Sequence, residues 1–167
     1  MGLEMLGLVE VYRNGFWAGT LKTEPLVTGQ NYNMYANLFG ITNDEEVFEP
    51  VVGMRGIPQD ASDLARRELA LFYSGDGDSR FDSWISWDEI AGIDWGQLQG
   101  RPFDSGWPSR SEVENGDWLE LQTLNKEHRV TRGYALSWEW EMLFEIMKIL
   151  AEKLGGSNVR LVAWFMR

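Results

Sequence analysis

The chain of 167 residues contains no cysteine. That excludes a disulfide framework, a thiolate metal centre and a cysteine nucleophile. Its one histidine, His128, stands among charged neighbours in "NKEHRV" and has no serine in pattern with it. A zinc site would therefore need carboxylates for nearly all its ligands, and serine catalysis has no visible base. His128 reads as a surface residue. Basic residues are also scarce: 15 Lys and Arg stand against 26 Asp and Glu, a net charge of −11. Direct nucleic-acid binding needs cations that displace counterions from phosphates, so this balance disfavours it. Docking on an anionic membrane surface is disfavoured for the same reason. No apolar run approaches the roughly 18 to 20 residues that span a bilayer. The opening "MGLEMLGLVEVYRNG" lacks a basic region and carries Glu4 and Glu10 within its apolar part, so no secretory signal is expected. Leu6 stands where myristoylation would need Ser or Thr. The expectation is a cytoplasmic protein with no metal and no cofactor.

What is present is ample apolar material. Hydrophobic residues make up 44% and aromatics 13%, with nine tryptophans, enough for one packed domain over residues 1–167. In "GLVEVYRNGFWAGTLK", two strand-like runs flank Asn14-Gly15, a hairpin signal because both central residues of a type I′ turn take positive φ. "NYNMYANLFG" (31–40) predicts a short helix with Gly40 just past its end. Residues 43–60 form a connector with short strand character at 47–52, broken by Gly53, Gly56 and Pro58. Residues 60–73 predict a helix capped by Asp60 or Ser62, with Leu64, Leu71 and Phe72 facing inward. The Gly-, Pro- and Ser-rich stretch at 92–116 predicts an exposed loop or insertion, and 117–125 can form a strand.

The C-terminal part carries the clearest periodicity. Leu136, Trp140, Leu143, Met147, Leu150 and Leu154 share one helical face, and Trp138, Met142, Ile146 and Ile149 widen it. That predicts a helix over 135–156 that is buried nearly all round, stopped by Gly155-Gly156. An apolar surface that wide leaves a homodimer open. "VRLVAWFM" (159–166) is apolar on both faces except at Arg160, the pattern of an interior strand. The fold class expected is α+β: an antiparallel sheet, built on the N-terminal hairpin and a central C-terminal strand, with helices mainly on one face.

The stretch richest in candidate chemistry is "GDGDSRFDSWISWDEI", residues 75–90. As a calcium loop starting at Asp76 it fails. Arg80 falls on the fifth position, Phe81 on the sixth, where glycine is needed, and Trp87 on the twelfth, where glutamate is needed. A looser hard-cation site on Asp76, Asp78 and Asp82 is the weaker alternative. A carboxylate pair for acid–base work needs environments that separate two pKa values, and glycine and serine neighbours do not provide them. No phosphate-loop pattern is present, and the aspartates would repel phosphate. Ser86 and Glu89 form a capping box before Ile90, so much of this polarity starts a short helix, with a brief extended piece at 81–85.

Four segments, "GQNYNMYANLFGI", "MRGIPQD", "DSWISWDEI" and "VRLVAWF", together resemble uncharacterised small proteins of bacteriophages, prophages and some actinobacteria. Those proteins carry RNY-like, RGLP-like and SWLT-like segments and an apolar terminal strand. Here Gln30-Asn31-Tyr32 stands for the first and Arg55-Gly56-Ile57-Pro58 for the second. The resemblance covers most of the chain and implies a phage-type accessory protein, located in the host cytoplasm. It carries over no catalytic residue. Two functions follow from different classes. The first is a non-enzymatic counter-defence inhibitor that meets the basic surface of a host protein through acidic loops, using Asp44, Glu45, Glu46, Asp76, Asp78 and Asp82. The second is a binder of a nucleotide-like small molecule through Asn31, Tyr32, Arg55, Arg80 and Trp84. The competing structural account places Tyr32 and Trp84 in the core and pairs Arg55 with a carboxylate. An enzyme is least expected, given so little His, Cys and Lys.

Overall fold

A computed structural model describes residues 2–43, 46–73, 81–100 and 129–166. Its centre is a four-stranded antiparallel sheet in the order β2-β1-β4-β3. The strands are β1 (Glu4–Arg13), β2 (Phe16–Lys22), β3 (Phe81–Ser86) and β4 (Val159–Met166). The expected hairpin is β1–β2. Asn14 and Gly15 take φ of 57° and 88° between them, as a primed turn requires. The first and last strands form the central pair, running in register from Glu4 opposite Met166 to Val11 opposite Val159. Alternation sends Met5, Val9 and Val11 of β1 and Val159, Leu161, Ala163 and Phe165 of β4 to one face. Leu6 and Leu8, with Val162 and Trp164, go to the other.

Three helices cover the first face: α1 (Tyr32–Phe39), α3 (Trp87–Ala91) and α4 (Trp138–Leu154). A fourth, α2 (Asp63–Phe72), packs on the second through Ala65 and Leu64. The fold is α+β, as the periodicities indicated. In α1, Asn31 Oδ1 accepts the Met34 N–H and Gly40 closes the helix at φ 74°. Edge-to-face contacts set α1 on the sheet, with Tyr35 5.2 Å and Phe39 5.7 Å from the Phe165 ring. Among the described residues no helix is long and apolar enough to cross a membrane.

Three expectations need correction. Helix α4 is one-sided. Trp140, Leu143, Phe144, Met147 and Ala151 are buried, whereas Trp138 is 70% and Ile149 58% exposed. Its apolar stripe meets a single sheet face, and periodicity alone does not show which part of a wide stripe finds a partner. Leu71 on α2 is likewise exposed, since only a narrow side of that helix reaches the sheet. Residues 47–52 form no strand. Val51 and Val52 donate instead to the Asn37 and Leu38 carbonyls at the end of α1. Of the two N-caps expected for α2, Ser62 is the one found. Of the loop expected at 92–116, residues 92–100 are described, with Gly92, Asp94, Gly96, Gln97 and Leu98 exposed. Ile93 and Trp95 pack on the core, and Leu98 bridges to Thr131. The 117–125 strand and His128 fall outside the described residues.

The bulge at Thr20 and the helix above it depend on one small residue. Glu10 pairs with Gly19 and Val9 with Leu21, so Thr20 is the extra residue that resets the alternation of β2. At Gly19 a Cβ would lie 2.7 Å from both Leu64 Cδ2 and Leu8 Cδ2. Gly19→Val should therefore lift α2 from the sheet and cost about 1–3 kcal/mol of stability, read from urea unfolding midpoints. An unchanged midpoint would show that α2 does not pack at this distance.

Candidate functional site

The two most deeply buried charges face each other across the central strand pair. Glu10 on β1 and Arg160 on β4 occupy paired register positions, with side chains 0% and 4% exposed. Arg160 Nε donates to Glu10 Oε2 at 2.7 Å, and its Nη1 donates to Asp60 Oδ1 at 2.9 Å. Nη2 reaches the Asp60 carbonyl at 3.3 Å. The second Glu10 oxygen accepts the Ser62 N–H at 2.7 Å, just before α2 begins. Removing two ions from water costs several kcal/mol each, and only close geometry with satisfied lone pairs offsets that cost. Both conditions hold here.

Aromatic rings enclose the arginine. The guanidinium lies 3.7 Å from the Trp17 ring centre and 5.7 Å from that of Trp84. Trp17 Nε1 in turn donates to Asp60 Oδ2 at 2.9 Å. On the far side of Trp84, Arg55 stacks at 4.8 Å and forms a two-pronged pair with Glu89, at 3.1 and 2.5 Å. Glu89 also closes the capping box of α3, accepting the Ser86 N–H at 2.9 Å. Trp17, Arg160, Trp84 and Arg55 thus form a ladder of alternating rings and cations across β2, β4 and β3. Each desolvated cation–ring contact contributes about 2 kcal/mol.

Above one end of this ladder lies a groove of about 560 Å³ between the start of β2 and the start of α2. Tyr12, Phe16 and Trp17 wall one side, and Asp60, Asp63 and Leu64 the other. Phe16 is 60% exposed and the Asp60 side chain 68%. Burial opposes ionisation of Asp60, but the Arg160 hydrogen bond and charge, with the Trp17 indole, hold its pKa below the usual carboxylate value. Two further cavities are also acidic. One of about 230 Å³ is lined by Glu4, Glu24 and Tyr35, and one of about 410 Å³ by Glu49, Glu89 and Asp94. Arg132 is the single basic residue lining the three. It is buried, and bonds to Asn37 Oδ1, Gln97 Oε1 and the Glu49 carbonyl.

The residues expected to bind a small ligand fall in two places. Asn31 and Tyr32 sit at the start of α1 on the first face of the sheet. Asn31 Nδ2 donates to the Ala135 carbonyl at 2.8 Å, and Tyr32 Oη accepts the Leu3 N–H and donates to Gln30 Oε1. Arg55 and Trp84 belong to the ladder, Trp84 packing into the cluster on the opposite face. Arg80 lies outside the described residues, as do Asp44, Glu45, Asp76 and Asp78. Glu46 is exposed, at φ 50° beside Gly100. Asp82 sits on β3 opposite Trp164, its carbonyl accepting the Gly56 N–H. Among the described residues no group of three acidic or histidine side chains could hold a metal ion.

The ladder and groove were not expected from the sequence. The available signal was Glu10 and Arg160, charges of opposite sign at interior positions of two largely apolar strands. Nothing in the linear order indicated that Trp17 and Asp60 would join them.

Glu10→Gln should leave the buried Arg160 with only the exposed Asp60 carboxylate as counter-charge and cost about 3–5 kcal/mol in urea unfolding. The double variant Glu10→Leu/Arg160→Met should regain most of that loss; a double variant as unstable as the single would show that the pair is not the source. The Asp60 and Glu89 pKa values are lowered in the folded chain, Glu89 by Arg55 and Ser86 against the effect of burial. Their contribution is therefore complete above the unfolded carboxylate value of about 4 and is lost as pH falls through the lower folded values. Unfolding midpoints should hold steady from about pH 8 to 5 and drop below about pH 4. A midpoint that rises in that acid range would reverse the sign.

No family model matches the chain, and neither does any curated protein or solved structure, so its functional reading rests on its own residues.

Proposed function

We propose that this chain is a non-enzymatic binding protein that engages a basic partner protein through its acidic surface. The observation that carries the reading is that each of the three cavities above is lined by two or more carboxylates, and the one lining arginine is buried and bonded. With a net charge of −11, such a surface attracts basic partners over distances of about a Debye length and repels phosphates. The motif resemblance supplies the context: an accessory protein of a phage or mobile element that blocks a host defence factor in the host cytoplasm. In that setting the acidic residues Asp44, Glu45, Glu46, Asp76, Asp78 and Asp82 meet a surface built to hold nucleic acid. The nucleotide-like ligand has less support. Arg55 is already committed to Glu89 and Trp84, and Asn31 and Tyr32 lie on the opposite face.

Native mass spectrometry of the protein purified from its host tests this directly. The expected species is a stoichiometric complex with a second protein, dissociating as salt is raised. Asp76→Asn/Asp78→Asn should weaken it about tenfold, equivalent to about 1.4 kcal/mol. A co-purifying nucleotide, or a complex indifferent to salt, would overturn the reading.

A further inference from the structure

The two edges of the sheet are treated differently. At β3 the chain folds over the edge: Gly56 N–H donates to the Asp82 carbonyl, Arg55 N–H to Ser83 Oγ, and Ser83 Oγ to the Gly53 carbonyl. At β2 no backbone hydrogen bond leaves the edge from Phe16 to Lys22 among the described residues. An open edge is a template for another strand, which proteins ordinarily cover or blunt with charge. Here the first part of that edge, Phe16–Gly19, carries no charge and borders the aromatic and acidic groove instead.

We propose that this edge takes an extended basic segment of the partner protein as an added strand. An arginine or lysine side chain of that segment sits in the groove against Phe16 and Trp17, between Asp60 and Asp63. The inference rests on the basic-partner reading and names the place where the partner docks. Strand addition uses backbone hydrogen bonds for affinity and alternate side-chain pockets for specificity. Side chains on an added strand alternate between faces, so every second one points to the α2 side of the sheet, where the groove lies. The groove matches such a side chain chemically, with aromatic faces for the cation and its methylenes and carboxylates for its charge. Arg160 does not oppose it, because its charge is already taken up by Glu10 and Asp60.

The probe is a capped decapeptide alternating threonine and arginine, with the threonine–glutamate decapeptide and arginine amide as controls, followed by ¹H–¹⁵N NMR at low salt. The expected result is shift changes confined to Phe16–Leu21 and Asp60–Leu64, slowed amide exchange along β2, and no binding of the acidic peptide. Phe16→Ala and Asp63→Asn should each weaken binding about threefold, the effect of one exposed contact. Both side chains are exposed and neither touches Arg160, so the fold is left intact. Binding of the basic peptide at other acidic surfaces would overturn the docking site and leave the basic-partner reading standing. Equal binding of arginine amide without slowed exchange in β2 would overturn strand addition. No binding of any basic probe would overturn both.

Discussion

The pairing of Glu10 with Arg160 is the constraint on which the rest of the structure depends. It places one charge from the first strand and one from the last at adjoining positions in the centre of the sheet. A buried ion is tolerated only where its partner is fixed, so the pairing favours the register in which these two residues meet. A slip of one strand by one residue would turn its charge into the apolar face formed by Val9, Val11, Val159 and Leu161, away from its partner. The pair also reaches beyond the sheet. Glu10 holds the Ser62 N–H and Arg160 holds both the side chain and the carbonyl of Asp60, so the segment entering α2 is tied to the strands beneath it.

The surface follows from that tie. Asp60 is fixed from below by Arg160 and from the side by Trp17, which leaves its carboxylate ionised at the rim of the groove. Trp17 is held between the guanidinium, 3.7 Å from its ring centre, and the Asp60 carboxylate that its indole N–H meets. The distance between α2 and β2 is then set by the contact of Leu64 with Gly19. Groove, acidic rim and open edge are three results of one buried arrangement.

Much of the fold was legible because its signals are local. Asn14-Gly15 needs only two neighbouring positive φ angles, the Ser86–Glu89 box only one helical turn, and Gly40 only a left-handed residue after a helix. The all-apolar run of β4 marks an interior strand because both faces of such a strand are covered. The readings that failed needed knowledge of what lies opposite. Leu71, Trp138 and Ile149 fit helical periodicity, yet each is largely exposed. Residues 47–52 have strand-like composition, but their backbone groups found the open carbonyls at the end of α1 instead of a sheet edge. Arg55 and Trp84 were expected to line one ligand site with Asn31, Tyr32 and Arg80; the two meet instead within a ladder in which Arg55 is bonded to Glu89.

From the chain alone came the α+β class, the hairpin, the helices within 31–40, 60–73 and 135–156, the capping signals and the net acidity. These follow from composition and from contacts within a few residues, which linear order records. The ion pair, the ring–cation ladder, the groove and the difference between the two sheet edges came only with the tertiary structure. Glu10 and Arg160 are separated by 150 positions, and Trp17 and Asp60 by 43, so no local pattern links them. They are brought together by the pairing of the first strand with the last, a choice driven by burial of apolar faces over the whole sheet.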